Sequence, residues 1–500
     1  MVNRRNWFDK VGAKDKLASE GDCQALEFTH GIEVECFLVD RKGEKLTHAG
    51  FGKVYNDIMS KGLVRSLKKG IPKFYENKVS DIDITPSKSS TYDALKMNYS
   101  VDDTSVISEL ISVDRNVAEW PLVEIATPPC ESLYELGWWS SVVFRLVTDS
   151  LKKNDDGHQL MIFGVNPYET TEEISQSETF PTCGEHHHIK VIKSDEMTSD
   201  EVPFFTNFYH LVRFFTSHLI LLSACSPFAS GGLWGRYRHD DLDLPFPRCV
   251  RSIRVLYNKK HLCSFQDGEY MPYLQRGWRG QREFVDEFKK QSNSYRTDTH
   301  FFDLDPFSKQ NRTMEIRFFD SQPSIARRVG IAALIQVMAK KAKKLVLEDE
   351  DNLLQVIKDN NASLQRLKKM ACEGGCWFKP PSKPILGENV KLKPSKIQKI
   401  IFSDLILEMM FFLRAEIRES NLIYSHFLDP IRHTIYDLGG NGVSPAQYWL
   451  MTYISEDQNM ERVVKRIMDS SKKAVDIWYD PVVNEPVTLE SLNRPKEGES

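Results

Sequence analysis

The chain has no glycine-rich phosphate loop of the Walker A form and no Gly-x-Gly-x-x-Gly dinucleotide fingerprint, so any nucleotide must be held by another device. It has no long uncharged apolar run. The most apolar helical stretch, residues 208–228, is interrupted by His210, Arg213 and His218, which argues for a buried helix over a membrane span. The opening Met1-Val-Asn-Arg-Arg-Asn-Trp-Phe-Asp-Lys10 carries no apolar core of signal-peptide length, so a soluble cytoplasmic protein is expected. Positive charge is not in excess: 66 Lys and Arg stand against 70 Asp and Glu, which excludes a broad basic footprint for nucleic acid. Cysteine is sparse. The nine are scattered and odd in number, which reads as reduced thiols and not as a disulfide framework. Cys372 and Cys376 form the one close pair; their spacing is not the two-residue zinc knuckle and no second pair follows, so structural, redox and metal roles stay open.

What is present is an ordinary globular composition, 41% hydrophobic and 27% charged, over a length that can bury a large core. Residues 1–30 read as helical and irregular. Strands are expected at 31–40, 104–113, 121–127, 159–165, 185–193 and 312–319, with Pro128 and Pro129 ending the third of these. Helices are expected at 131–153, 201–226 and from Pro323 to about 345, and most of the chain beyond is helical, broken by Gly374-Gly375 and a Lys/Pro linker from Lys379. The last 25 or so residues, rich in Pro, Glu and Asn, read as a loose tail. Neither a repeat nor a clean domain boundary stands out. One catalytic domain over 1–475, sheet-rich at 30–330 and helical at 330–475, must therefore gather the polar strands, with 476–500 as its tail.

The densest chemistry lies in Gly31-Ile-Glu-Val-Glu-Cys-Phe-Leu-Val-Asp40. Alternation puts Glu33 and Glu35 on one strand face, about 7 Å apart, and Ile32, Val34, Cys36 and Leu38 on the other. Two such acids repel unless protons or cations neutralise them. In Arg312-Thr-Met-Glu-Ile-Arg-Phe-Phe-Asp320, Glu315 and Arg317 share a face. An acid beside an arginine suits a site that handles a metal together with a phosphate or carboxylate; a partly buried ion pair is the plain alternative. Cys183-Gly-Glu-His-His-His-Ile-Lys-Val191 aligns His186, His188 and Lys190 on one face, and His187 with Ile189 and Val191 on the other. Those histidines could bind a metal, hydrogen-bond a phosphate, or form a surface cluster. Glu109 and Glu124 are lone acids among apolar neighbours, unusual for core strands; an ordinary half-exposed position is the plain alternative for each. Arg236, Arg238, Arg248, Arg251 and Arg254 make a locally basic stretch that could clamp an anion or balance Asp240, Asp241 and Asp243. Taken together, the acids, histidines and arginines on strand faces suggest a sheet-lined polar cavity in which divalent cations take carboxylate oxygens and grip phosphates.

Five blocks, in order, resemble the glutamate–cysteine ligase and carboxylate–amine ligase family of the glutamine synthetase-like superfamily. They are the 31–40 strand, Val123-Glu-Ile-Ala-Thr-Pro128, Gly184-Glu-His-His-His188, Leu222-Ser-Ala-Cys-Ser-Pro-Phe228 followed by Ser252-Ile-Arg254, and Thr313-Met-Glu-Ile-Arg-Phe-Phe-Asp320. Gly440-Asn-Gly-Val-Ser-Pro-Ala-Gln447 is a weaker echo. The resemblance implies an α+β fold in which a curved antiparallel sheet forms a funnel surrounded by helices. It implies ATP-dependent amide-bond formation through an acyl phosphate, with ATP and Mg²⁺ or Mn²⁺ as cofactors and amino acids as substrates. It casts Glu33, Glu35, Glu109, Glu124, His186 and Glu315 as metal ligands, and Glu33, Glu35, His186, His188, Lys190, Glu315 and Arg317 around the nucleotide. Arg317, Arg254 and His188 would act on the transferring group. The chain departs from the family at Glu109, fifteen residues from Glu124, and at Asp305, where the family's Trp-Trp-Asp-x-Arg-Pro motif has arginine; the segments near 45–105 and 370–400 are additional. The other readings are a non-catalytic nucleotide- or ligand-binding relative and a metal-dependent hydrolase built on the His/Glu set. The sequence leaves a homo-oligomer open.

Overall fold

The computed structural model describes residues 25–46, 85–86, 99–100, 111–113, 122–127, 129–133, positions scattered from there to 151, then 157–169, 183–190, 198, 201–233, 283, 304–305, 313–347, 409–419 and 445–483. The strands are β1 (Ala25–Val39), β2 (Thr85–Pro86), β3 (Tyr99–Ser100), β4 (Ile111–Val113), β5 (Leu122–Ala126), β6 (Cys130–Ser132), β7 (Gln159–Met161), β8 (Gly184–Ile189), β9 (Phe228–Ala229), β10 (Gly232–Leu233), β11 (Leu304–Asp305) and β12 (Met314–Asp320). The helices are α1 (Glu201–Phe214), α2 (Thr216–Ser223), α3 (Ile325–Leu347), α4 (Arg414–Glu419), α5 (Pro445–Ser455) and α6 (Met460–Val483). The result is a mixed architecture of helices and an antiparallel sheet.

Eight strands form the main sheet, in the order β11-β12-β8-β1-β5-β4, with β6 and β7 also paired to β1. All its ladders are antiparallel. β1 is its axis. His30 pairs with both Cys130 and Ile189, and Phe37 with both Leu122 and Met161, so β8 and β7 share one edge of β1 while β6 and β5 share the other. Its even-numbered residues Ile32, Val34, Cys36 and Leu38 are buried. Helix α3 packs on β1 and α1, and α2 packs on β12. The middle of α3 is apolar nearly all round (Ile331, Ala332, Ala333, Leu334, Ile335 and Met338 are all buried), as a helix sandwiched between a sheet and other helices must be. α6 lies on β7, α3 and α5, where Val463, Val464 and Ile467 join Phe163, Phe228 and Trp449 in a second core.

Several elements differ from expectation. Residues 25–30 are strand, not helical or irregular: Leu26, Phe28 and His30 continue the alternation of Ile32 and Val34, and a register shift between Ala25 and His30 absorbs the irregularity. The 201–226 helix is two helices meeting at Phe215, although the bonds Phe215 N–H to Leu211 O and Leu219 N–H to Phe215 O run through the break. The strand expected at 159–165 ends at Met161, before the Asn166-Pro167 turn, and the one expected at 185–193 spans Gly184–Ile189. A short strand, β6, precedes the helical residues between 133 and 151. α6 runs to Val483, past the residue 476 at which a tail was expected. Of the 104–113 strand, residues 111–113 are described; Glu109, Arg254, Cys372 and Cys376, with the basic stretch around Arg254, lie outside the described residues. Among the described residues no helix is long and apolar enough to cross a membrane.

Candidate metal centre

Register decides which polar side chains meet. Glu33 of β1 stands opposite His186 of β8, Gly31 opposite His188, and His188 opposite Glu315 of β12. Residues opposite one another share a face, so Glu33, His186, His188 and Glu315 all project from the same side of the sheet. Gly31 contributes no side chain there and leaves room above His188. One ligand atom from each of the four residues lies within 4.8 Å of every other. His186 Nδ1 is 3.4 Å from Glu33 Oε2 and 3.3 Å from Glu315 Oε1; His188 Nε2 is 3.2 Å and 3.8 Å from the same two oxygens. Thr313 Oγ1 meets His188 Nδ1 at 3.0 Å and fixes the ring, so that Nε2 is the nitrogen that faces the cluster. That Nε2 is buried and makes no hydrogen bond. Arg317 pairs with Glu315 at the rim. The histidines and Glu315 are closed off, but the Glu33 side chain is 23% exposed and that of Arg317 16%, so the cluster opens to solvent past these two.

The electrostatics follow from this packing. Burial pushes the Glu33 carboxyl up, but the neighbouring His188 and His186 outweigh it and hold Glu33 well below the usual carboxylate range. Burial also opposes ionisation of Glu315, yet Arg317 and His188 bring it down to about 2. For His188, burial works against the proton, while Glu33 and Glu315 win and raise it to about 9. Without a metal, an imidazolium thus stands between two carboxylates at neutral pH. Two carboxylates and two imidazoles whose ligand atoms converge on one buried volume fit a divalent cation taking the place of that proton.

The other expected residues stand around this group. Glu35 lies outside it: Gly184 N–H donates to its Oε2 at 2.6 Å, and its Oε1 is 4.0 Å from His186 Nε2. Glu124 is half-buried and stands directly opposite Glu35 in the β1–β5 ladder, with Ser112 of β4 beyond it. Lys190 is exposed, one residue past the end of β8. The register sets Asp305 opposite Glu315. Sequence reasoning missed the residues behind the sheet: Glu185, His187, His30 and Arg328 are fully buried and hydrogen-bonded together. The available signal was an arginine pair, Arg327 and Arg328, at the start of a helix whose next seven residues are apolar or glycine. A cavity of about 290 Å³, lined by Phe144, Leu160, Ile162 and Met468 among others, shares no residue with the cluster.

No family model matches the chain, and no curated protein matches it. Among solved structures it is similar to a bifunctional glutathione synthetase from Pasteurella multocida, with 12% identity and a TM-score of 0.48, over 96% of this chain and 55% of that one. It is also similar to glutamate–cysteine ligase from Francisella tularensis, solved with AMP (13% identity, TM-score 0.40, 95% of this chain and 98% of that one). A third is the complex of the prokaryotic ubiquitin-like protein Pup with its ligase PafA (11% identity, TM-score 0.39, 93% of this chain and 78% of that one). The chain thus spans little more than half the length of the first of these. Glutamate–cysteine ligase, the family that the strand motifs resemble, is among the similar structures. At these TM-scores, function has to be argued from the cluster itself.

Proposed function

We propose that the chain is an ATP-dependent ligase that joins a carboxylate to an amine, with the γ-carboxylate of glutamate and the amine of cysteine as the leading substrate pair. The observation that carries this reading is the convergence of Glu33, His186, His188 and Glu315 from three strands onto one ligand-sized volume. These four would hold a divalent cation, Mg²⁺ or Mn²⁺, and the imidazole nitrogens favour Mn²⁺ over the all-oxygen preference of Mg²⁺. When bound, such a cation would supply positive charge to neutralise phosphate oxygens. The protein's own groups do the rest. Glu33 and Arg317 line the opening through which an anion reaches the cluster. Arg317 offers a charged fork to a phosphoryl or carboxylate group there. His188 would hold the cation in its neutral form, through Nε2. Glu35 and Glu124 extend the acidic surface along the same face, and Glu109, Lys190 and Arg254 complete the set that the resemblance implies.

The first step needs no general base, because the attacking carboxylate is already ionised. It displaces ADP from the γ-phosphate, and the amine then displaces phosphate from the acyl phosphate with loss of a proton. This reading makes residues 1–475 one catalytic unit whose sheet curves into a funnel of the glutamine synthetase kind, working in the cytoplasm. The test is incubation with ATP, Mg²⁺ or Mn²⁺ and a panel of amino acids. The expected result is ADP, phosphate and a product with the mass of two amino acids less one water. Absence of ADP above background with every panel overturns the proposal.

Two observations favour other readings. Paired imidazoles beside carboxylates also suit zinc or iron in a hydrolase. Tightly held zinc in elemental analysis supports that, and labile metal supports the ligase. Asp305, in place of the family's arginine, favours a relative that binds nucleotide without turnover; binding unchanged by Glu33→Gln would mark it.

A further inference from the structure

A second polar chain runs behind the sheet, and no step of the ligase reading uses it. Arg328 Nε donates to Glu185 Oε2 at 2.9 Å. Glu185 Oε1 lies 2.9 Å from His187 Nε2, and His187 Nδ1 lies 2.9 Å from His30 Nε2. His30 Nδ1 accepts from Gln336 Nε2 at 3.1 Å. Gln336 is anchored in turn on the backbone of Phe28, accepting its N–H at 3.2 Å and donating to its carbonyl at 3.0 Å. One set of tautomers satisfies every link. The carboxylate of Glu185 can only accept, so His187 carries its proton on Nε2; Nδ1 then accepts, so His30 carries its proton on Nε2 and accepts from the Gln336 amide on Nδ1. Arg328 NH2 donates to Gln322 O, and the Gln322 N–H points to Glu185 Oε2 at 3.3 Å, closing the far end.

The chain's position gives it a consequence. His187 sits between His186 and His188, with its ring on the opposite face and held at both nitrogens. His30 immediately precedes Gly31, three residues before Glu33. Arg328 and Gln336 belong to α3. The network therefore ties β8, β1 and α3 together from behind, directly beneath the residues that converge in front. A strand held this way cannot roll or slide, and the relative height of the Glu33, His186 and His188 donors depends on that.

We propose that Glu185, His187, His30 and Gln336 are positioning residues for the metal centre: they act through the backbone of β8 and β1 to bring its front-face donors to ligating distance. This rests on the reading of Glu33, His186, His188 and Glu315 as a cation site. The test is Mn²⁺ titration of the full chain, followed by electron paramagnetic resonance, beside thermal melting. His30→Leu removes the donor to His187 and is expected to weaken Mn²⁺ binding roughly 10-fold or more, the usual effect of losing a group that orients a ligand. His30→Gln restores an amide donor and should return binding to within about threefold of wild type on the same argument. Gln336→Leu, which releases the other end, should behave like His30→Leu and serves if that variant does not fold. Phe163→Ala, in the core around α6, which shares no residue with the four-residue cluster, should melt lower with Mn²⁺ affinity unchanged. Folded His30→Leu and Gln336→Leu proteins that bind Mn²⁺ as wild type does overturn the proposal, as does a loss in every variant that simply tracks melting temperature, Phe163→Ala included. Wild-type protein that binds no Mn²⁺ overturns the metal-site reading and this proposal with it, a result distinct from intact binding in the variants.

Discussion

Glu33 and His186 face each other in register across the β1–β8 ladder, and the carboxylate oxygen Oε2 of Glu33 that lies 3.4 Å from His186 Nδ1 is also 3.2 Å from His188 Nε2. A single oxygen serves two imidazoles. Neutralising it should therefore disturb the site more than loss of one ion pair would. Glu33→Gln keeps the shape and removes the charge. The expected outcome is loss of measurable Mn²⁺ binding and of any ligase turnover. In the metal-free protein it should also bring His188 down from about 9 toward the usual histidine range, because the Glu33 charge is the largest influence raising it. Imidazole proton resonances followed against pH measure this. A His188 that still titrates near 9 in Glu33→Gln would show that Glu315 alone sustains it.

Arg317 offers a separate handle. It pairs with Glu315 and is partly exposed at the opening, so it can reach an incoming anion without ligating a metal. Arg317→Lys retains charge but not the planar fork. The turnover number should fall about 10²- to 10³-fold, as when one preorganised donor to a developing charge is lost, with Mn²⁺ affinity changed by much less. Equal losses in both measurements would assign Arg317 to the cation site and not to the transferring group.

The front face of this site was readable because a strand's period of two is local: the placements of Glu33 with Glu35, of His186 with His188 and of Glu315 with Arg317 each need only two residues of context. Which of these pairs meet is not local. It depends on register between strands far apart in the chain, and that is why Glu35, so close to Glu33 in sequence, turns out to spend one oxygen on Gly184 N–H. The back face was illegible for the same reason. His187 alternates with apolar residues and reads as a passive neighbour; its partners His30 and, through Glu185, Arg328 come from another strand and a helix. Polar residues also hid the start of β1, since Glu27, Thr29 and His30 look like the end of a loop until the helix above them is in view. The break at Phe215 carries no glycine or proline to mark it.

Gly43 predicts a purely structural effect. Its φ is +84°, in the left-handed region, and a Cβ there would collide with Cγ1 of Val464 on α6. Gly43→Ala meets both the backbone penalty and the clash, and should cost about 1–3 kcal/mol by urea unfolding. Trimming the neighbour in Gly43→Ala/Val464→Ala relieves the clash but not the φ, so recovery should be partial. Full recovery would mean that the backbone conformation costs nothing here.

Acid should unfold this protein in two stages, the first led by the histidines behind the sheet. Burial, joined by the charge of neighbouring histidines, holds His30 well below 6.5, and burial also lowers His187 against the pull of Glu185. Both are therefore neutral when folded, while the unfolded chain takes up protons as pH falls through 6.5. The stability they allow is full above that value and is lost progressively below it. Glu185 is different. Burial would raise it, but Arg328 and His187 keep it below 4.5, so the stability tied to its charge is present above 4.5 and disappears only as pH falls through its lower folded value. Urea melts should accordingly weaken between pH 6.5 and 5, before most carboxylates titrate, and weaken again below 4.5. His30→Gln, which cannot take up a proton, should make the first limb shallower, with the part due to His187 remaining, and leave the second. A first limb that is equally steep in His30→Gln would assign it to His187 or to histidines elsewhere in the chain.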